Sequence, residues 1–124
     1  MTSPQFRLST IVLDTPGPRA LAAFYQQLLG WPVEADEETW VKLSGPGGVG
    51  ISFQYEPAYR RPTWPSTVEH QQMQVHLDIE VDDLDAAGAR AVELGATPAS
   101  YQPQEHVRVY FDLDGHVFCL WTRD

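Results

Sequence analysis

The feature that most constrains this chain is that its grammar occurs twice. Each half of the 124 residues reads as a strand, an acidic turn, an amphipathic helix, a Leu-Gly stop and then several short strands. Two half-units of matching design must bury their apolar faces in matching ways, which removes most topologies open to a chain of this length.

In the first half, alternation from Phe6 to Asp14 predicts a strand with Leu8, Thr10 and Val12 on one side and Ile11 and Leu13 on the other. Pro18 suits a first helical turn, where its missing N–H costs nothing. Leu21, Phe24, Tyr25, Leu28 and Leu29 then form one wide apolar stripe, and Gly30 supplies the left-handed stop. Strands are expected at Trp31–Ala35, Thr39–Ser44 and Gly50–Tyr55.

The second half repeats the plan. Gln74 to Val81 alternates strictly, with Val75, Leu77, Ile79 and Val81 against His76, Asp78 and Glu80. Asp82 or Asp83 caps a helix striped by Leu84, Ala87, Ala91 and Leu94, and Gly95 ends it. Strands are expected at Thr97–Gln102, Val107–Asp112 and Val117–Trp121, the last two joined by a turn at Leu113-Asp-Gly. Between the halves, Pro57, Pro62 and Pro65 block a helix or central strand, so residues 56–73 form a connector. Its Tyr59, Trp64 and Arg60–Arg61 suit a lid over a site as well as they suit a passive linker.

Composition excludes several function classes. A formal charge of −9 argues against a nucleic-acid partner, which needs clustered Lys and Arg. No apolar window is long enough to span a bilayer, and MTSPQFRLST carries no secretory pattern. The single cysteine excludes an internal disulfide framework and fits a reducing cytosol, so the expected location is cytoplasmic. One domain over residues 1–124 is expected, with modules at about 6–55 and 74–122.

Three segments carry a family resemblance: IVLDTPGPRALAAFYQQLLGW (Ile11–Trp31), HLDIEVDDLDAAGARAVELGA (His76–Ala96) and VYFDLDGHVFCLW (Val109–Trp121). Together they resemble the vicinal oxygen chelate superfamily of glyoxalases, bleomycin-resistance proteins and extradiol dioxygenases. The resemblance implies an α+β fold: two tandem βαβββ modules forming a curved mixed sheet around a cavity, with helices on the convex face. Homodimers are common in that superfamily, so the resemblance implies one here.

Enzymes of the superfamily hold a divalent metal with one ligand from each of four strands, typically His or Gln, Glu, His and Glu. Carried over by the resemblance, the first position falls on Thr10 and the second near Ser52, with Gln54 two residues on. The third falls on His76 and the fourth on Cys119. One standard ligand of four is retained, so no metal ligands are assigned and no cofactor is expected; a His76–Cys119 pair aided by Gln54 is the remaining metal option.

His76 is the candidate catalytic residue, as a base or hydrogen-bond donor, and its plainer role is a cavity-wall imidazole beside Asp78. Cys119 as a nucleophile needs an activating base, and a lone strand cysteine is more often a small buried hydrophobe. Tyr110 shares its strand face with Arg108 and Asp112. The expected cavity wall is therefore Thr10, Val12, Ser52, Gln54, His76, Asp78, Arg108, Tyr110, Cys119 and Trp121. His116 is expected to be exposed or structural, and His70 and His106 are given no role. The leading expectation is a small-molecule-binding protein for a ring-containing or drug-like ligand, and the rival is a divergent lyase, isomerase or dioxygenase.

Overall fold

A computed structural model of the protein describes residues 3–123. The described chain forms β1 (Thr10–Thr15), α1 (Pro18–Leu29), β2 (Val33–Glu37), β3 (Trp40–Leu43), β4 (Gly50–Tyr55), β5 (Leu77–Glu80), α2 (Leu84–Leu94), β6 (Thr97–Pro98), β7 (Val107–Phe111) and β8 (Val117–Trp121). It divides into two compact units, residues 1–57 and 58–124. Each holds one helix and one four-stranded mixed sheet, in the orders β1-β4-β3-β2 and β5-β8-β7-β6. These are the two βαβββ modules expected from the repeat.

In the first module β1 runs parallel to β4, which lies antiparallel to β3. The expected alternation holds: Leu13, Val41, Leu43, Ile51 and Phe53 are buried, while Val12 and Gln54 are exposed. Helix α1 closes the apolar face with Leu21, Phe24 and Tyr25, and the Tyr25 ring stacks on Phe53 at 5.7 Å. Pro18 begins that helix and Gly30, at φ 72°, ends it. The expected strand start at Phe6 is corrected to Thr10. Phe6 is 93% exposed, and among the described residues no second element covers it.

In the second module β5 is parallel to β8, and β7 is antiparallel to it. Phe118 and Leu120 are buried on the face that receives Ala91 and Gly88 of α2. Asp83, not Asp82, caps the helix, accepting from the Ala86 N–H at 3.0 Å. Two expected strands are shorter than their sequence pattern. β5 begins at Leu77, leaving Val75 exposed, and β6 spans Thr97–Pro98 alone.

From Ala58 onward the connector belongs to the second module and packs on its helix-free face. Trp64 and Met73 lie against Ala99, Val109, Val117 and Cys119, and the Trp64 indole N–H donates to the Tyr101 carbonyl at 3.0 Å. Tyr59 stacks on His116 at 4.7 Å and donates its hydroxyl to the Asp114 carbonyl. His116 is structural: its Nδ1 lies 2.9 Å from the buried Asp112 carboxylate, which also accepts from the Asp114 and His116 backbone N–H groups. That carboxylate shapes the turn before β8, where Gly115 adopts φ 90° beside the Arg61 guanidinium.

Candidate functional site

The helix-free faces carry the polar candidates, and they differ between modules. Register explains which residues meet. On β1 and β4, Val12 lies opposite Ser52 and Asp14 opposite Gln54, so Thr10, Val12, Ser52 and Gln54 share one face. There the Thr10 and Ser52 hydroxyls hydrogen-bond to each other at 2.7 Å, and Ser52 is wholly buried. Lys42, opposite Ser52 on β3, reaches Glu34 at 3.1 Å and the Ser9 hydroxyl at 3.1 Å. Hydrogen bonds from Ser44 and Lys42 hold the Glu34 carboxyl below its ordinary pKa.

In the second module, Asp78 lies opposite Cys119 and Glu80 opposite Trp121. His76 precedes Asp78 by two residues and reaches it across the strand start, with Nε2 at 3.3 Å from Oδ1. The donor atoms of His76, Asp78 and Cys119 all lie within 4.8 Å of one another. His76 and Asp78 open to solvent, while Cys119 is buried under the connector. Burial, then the Asp78 charge and its hydrogen bond, push the Cys119 thiol up to about 11. A thiol held protonated is a poor nucleophile, so the inert reading of Cys119 fits the free protein better than the reactive one.

Two candidates are on the wrong face for this group. Val109 is the residue opposite Cys119, so Arg108 and Tyr110 point to the other side of β7. Tyr110 stacks on Phe118 at 5.6 Å, and its hydroxyl stands 2.2 Å from where a side chain on Gly88 of α2 would begin. Tyr110 is thus a helix-packing residue. Arg108 turns back to the Gln104 and Glu105 carbonyls. Parity within β7 is legible from sequence, but which parity faces Cys119 depends on the hairpin register, which the turn residues leave open.

Trp121 stays on the Cys119 face, with the Arg123 guanidinium 5.6 Å from its ring centroid. The residues missed by the sequence reading are Met73 and Lys42. Met73 ends a connector with no periodicity to reveal its contacts, whereas the even spacing of Trp40 and Lys42 on a strand was available as a signal.

A family model described as "Glyoxalase-like domain" matches residues 10–121. The chain belongs to this glyoxalase-like family. Its fold is similar to that of a glyoxalase/bleomycin resistance protein/dioxygenase family enzyme from Burkholderia phytofirmans, at 21% identity and TM-score 0.72, over 93% of this chain and 97% of that one. It is similar too to an antibiotic-binding protein from Streptomyces sp. CB03234, at 17% identity and TM-score 0.62, covering 99% and 100%. A third is a variant of a fosfomycin resistance protein from Listeria monocytogenes, complexed with Mn(II) and 1S,2S-dihydroxypropylphosphonic acid. That match has 18% identity and TM-score 0.70 and covers 98% and 90%. No curated protein matches the chain. At these identities the glyoxalase-like assignment carries the fold, and the chemistry must come from this chain's own side chains.

Proposed function

We propose that this glyoxalase-like protein binds a small, ring-containing organic molecule and releases it unchanged, without the four-strand metal of the superfamily's enzymes. The observation that carries this reading is the hydroxyl pair of Thr10 and Ser52. Both occupy positions where the resemblance puts metal ligands. Neutral hydroxyls already satisfied by each other do not fit the anionic oxygens and imidazoles that such a metal takes.

Binding is supported by the surface that remains. In the second module Trp64, Phe111 and Trp121 offer aromatic area, with His76 and Asp78 as exposed polar groups that fix orientation. In the first module, Val12 and Gln54 are the exposed candidates. Two structurally similar proteins are named for an antibiotic or for resistance to one, which supports drug-like ligands as the first class to try. Net acidity adds a preference for cationic members of that class. The reading places the protein in the cytosol as a homodimer, the free Cys119 suiting a reducing compartment.

The test is a thermal-shift screen of aromatic antibiotics in the presence of EDTA, followed by recovery and mass analysis of any hit. A ligand at about 100 times its Kd adds roughly 2.7 kcal/mol, a rise of several degrees. Recovery of intact compound supports the reading. Turnover of the compound, or stabilisation abolished by EDTA, overturns it in favour of an enzyme. The observation favouring that second reading is the exposed His76–Asp78 pair, in which a carboxylate 3.3 Å away orients an imidazole able to act as an acid or base.

A further inference from the structure

The helix-free face of the first module carries one cation that the organic-ligand reading leaves unused. Lys42 is the only basic residue in that module's strands and the only lysine of the chain. It lies on β3 between the buried Val41 and Leu43, so its side chain rises from the opposite face. The stem is largely covered. Its side chain is 18% exposed, and Cε passes 3.2 Å from where a side chain on Gly50 would begin. Glycine at that position of β4 leaves room for the stem to lie across the sheet.

The ammonium meets Glu34 Oε2 and the Ser9 hydroxyl, each at 3.1 Å. An ammonium donates three hydrogen bonds, and among the described residues the third N–H of Lys42 has no partner. Glu34 is held separately by the Ser44 hydroxyl at 2.8 Å, which does more than Lys42 to keep its carboxyl below the ordinary pKa. Glu34 therefore keeps its charge and place without claiming the whole ammonium. Trp40 stands one strand period before Lys42 on the same face and is partly exposed.

From this arrangement we infer that Trp40 and Lys42 form a subsite for an aromatic carboxylate, the ring lying on Trp40 and the carboxylate taking the open N–H of Lys42. The inference rests on the proposed binding of a ring-containing molecule and names the group that molecule carries beside its ring.

Same-face neighbours on a strand stand roughly 7 Å apart, within reach of a two-ring arene bearing one carboxylate. Charge decides between a carboxylate and a phosphate. One open N–H matches one negative charge, and a chain of formal charge −9 repels a dianion twice as strongly. The same net charge draws cations at encounter, so it adds a preference for ring compounds that carry an amine as well. An ion pair that merely staples β2 to β3 makes the opposite prediction for Glu34. A staple needs both charges, whereas a subsite gains when Glu34 ceases to compete.

The experiment is isothermal titration of the full chain with naphthoate and with its neutral isostere naphthamide. Naphthoate is expected to bind at least about 10-fold more tightly than naphthamide. Lys42→Met is expected to erase that preference and Lys42→Arg to keep most of it. Glu34→Gln is expected to tighten naphthoate by about 2–5-fold and leave naphthamide unchanged. Trp40→Ala is expected to weaken both probes. On the unaltered chain, acetylation of Lys42 is expected to slow with naphthoate and not with naphthamide.

Equal affinity for the two probes overturns the inference and leaves the binding reading standing. Failure of both probes overturns it as well, and takes the binding reading with it only if no aromatic compound of the screen binds. A naphthoate preference that survives Lys42→Met, weaker naphthoate binding in Glu34→Gln, or acetylation unprotected by naphthoate also overturns it. If Lys42→Met fails to fold, the exposed Glu34→Gln and the acetylation of the unaltered chain still decide.

Discussion

The two modules place different chemistry at the same address. In the first, the parallel pair β1–β4 sets Val12 opposite Ser52, with Thr10 two residues earlier. In the second, the equivalent pair β5–β8 sets Asp78 opposite Cys119, with His76 two residues earlier. Thr10, Val12 and Ser52 thus correspond to His76, Asp78 and Cys119 in a repeat whose backbone is otherwise shared. One triplet is two hydroxyls and a valine, closed upon itself by a 2.7 Å hydrogen bond. The other is an imidazole, a carboxylate and a thiol within 4.8 Å. The difference teaches that duplication fixes where side chains stand, while the chemistry at each address is set residue by residue.

If the modules are equivalent as folding units, their cores must cost the same to damage. Phe53 on β4 and Phe118 on β8 are both fully buried, and each stacks on a tyrosine, Tyr25 at 5.7 Å and Tyr110 at 5.6 Å. Phe53→Ala and Phe118→Ala are each expected to destabilise by about 3–5 kcal/mol. Chemical denaturation measures both. A difference between them of more than about 2 kcal/mol would break the equivalence.

The helix-free faces are where the modules should diverge. Trp64 and Met73 cover that face only in the second module, so Trp64→Ala has no counterpart in the first. Trp64 is half-buried and loses one hydrogen bond to Tyr101, so the expected cost is about 1–3 kcal/mol. Cleavage by protease within residues 58–73 should accelerate, and Cys119 should become alkylated faster, because the same indole covers both. Unchanged Cys119 reactivity would show that the connector is a passive strap.

Much of this comparison was legible before any coordinates. The helical stripes Leu21–Leu29 and Leu84–Leu94 and the strand alternation give both modules, because period 3.6 and period 2 are written by burial itself. Thr10, Ser52, His76 and Cys119 came from that alternation joined to a family resemblance. What was not legible has one physical origin, namely pairing between strands. The faces of Arg108 and Tyr110 turn on a hairpin register set at Asp112 and Gly115. The late starts of β1 and β5 reflect edge segments where no partner strand is available, so apolar residues such as Phe6 and Val75 stay in solvent despite a perfect pattern. The connector's contacts with Ala99 and Val117 follow no period at all.

Between the triplets themselves the expected effects are smaller. Ser52→Ala removes one hydrogen bond from a buried site and leaves the Thr10 hydroxyl half-exposed, where water can replace the partner. A loss of about 0.5–1.5 kcal/mol is expected, read from the denaturation midpoint. A cost above about 3 kcal/mol would mean that the hydroxyl pair anchors more than itself.

The last effect is absent at neutral pH and grows only in alkali, and it belongs to the second module because no titrating group occupies the Ser52 position of the first. Burial and Asp78 raise the folded-state pKa of Cys119 from its ordinary value of 9.0 to about 11. A raised acid keeps its proton longer in the folded chain than in the unfolded one. The associated stability is fully present below pH 9, declines once the unfolded thiol ionises, and is lost as pH rises through about 11. The protein should therefore lose stability over that interval faster than Cys119→Ala, whose curve carries no thiol. Asp78→Asn should lie between the two, since it removes the charge but keeps the burial, which is the larger cause. Parallel curves for the parent and Cys119→Ala would mean that the thiol titrates as if unfolded, and the contrast between the two triplets would then reduce to shape.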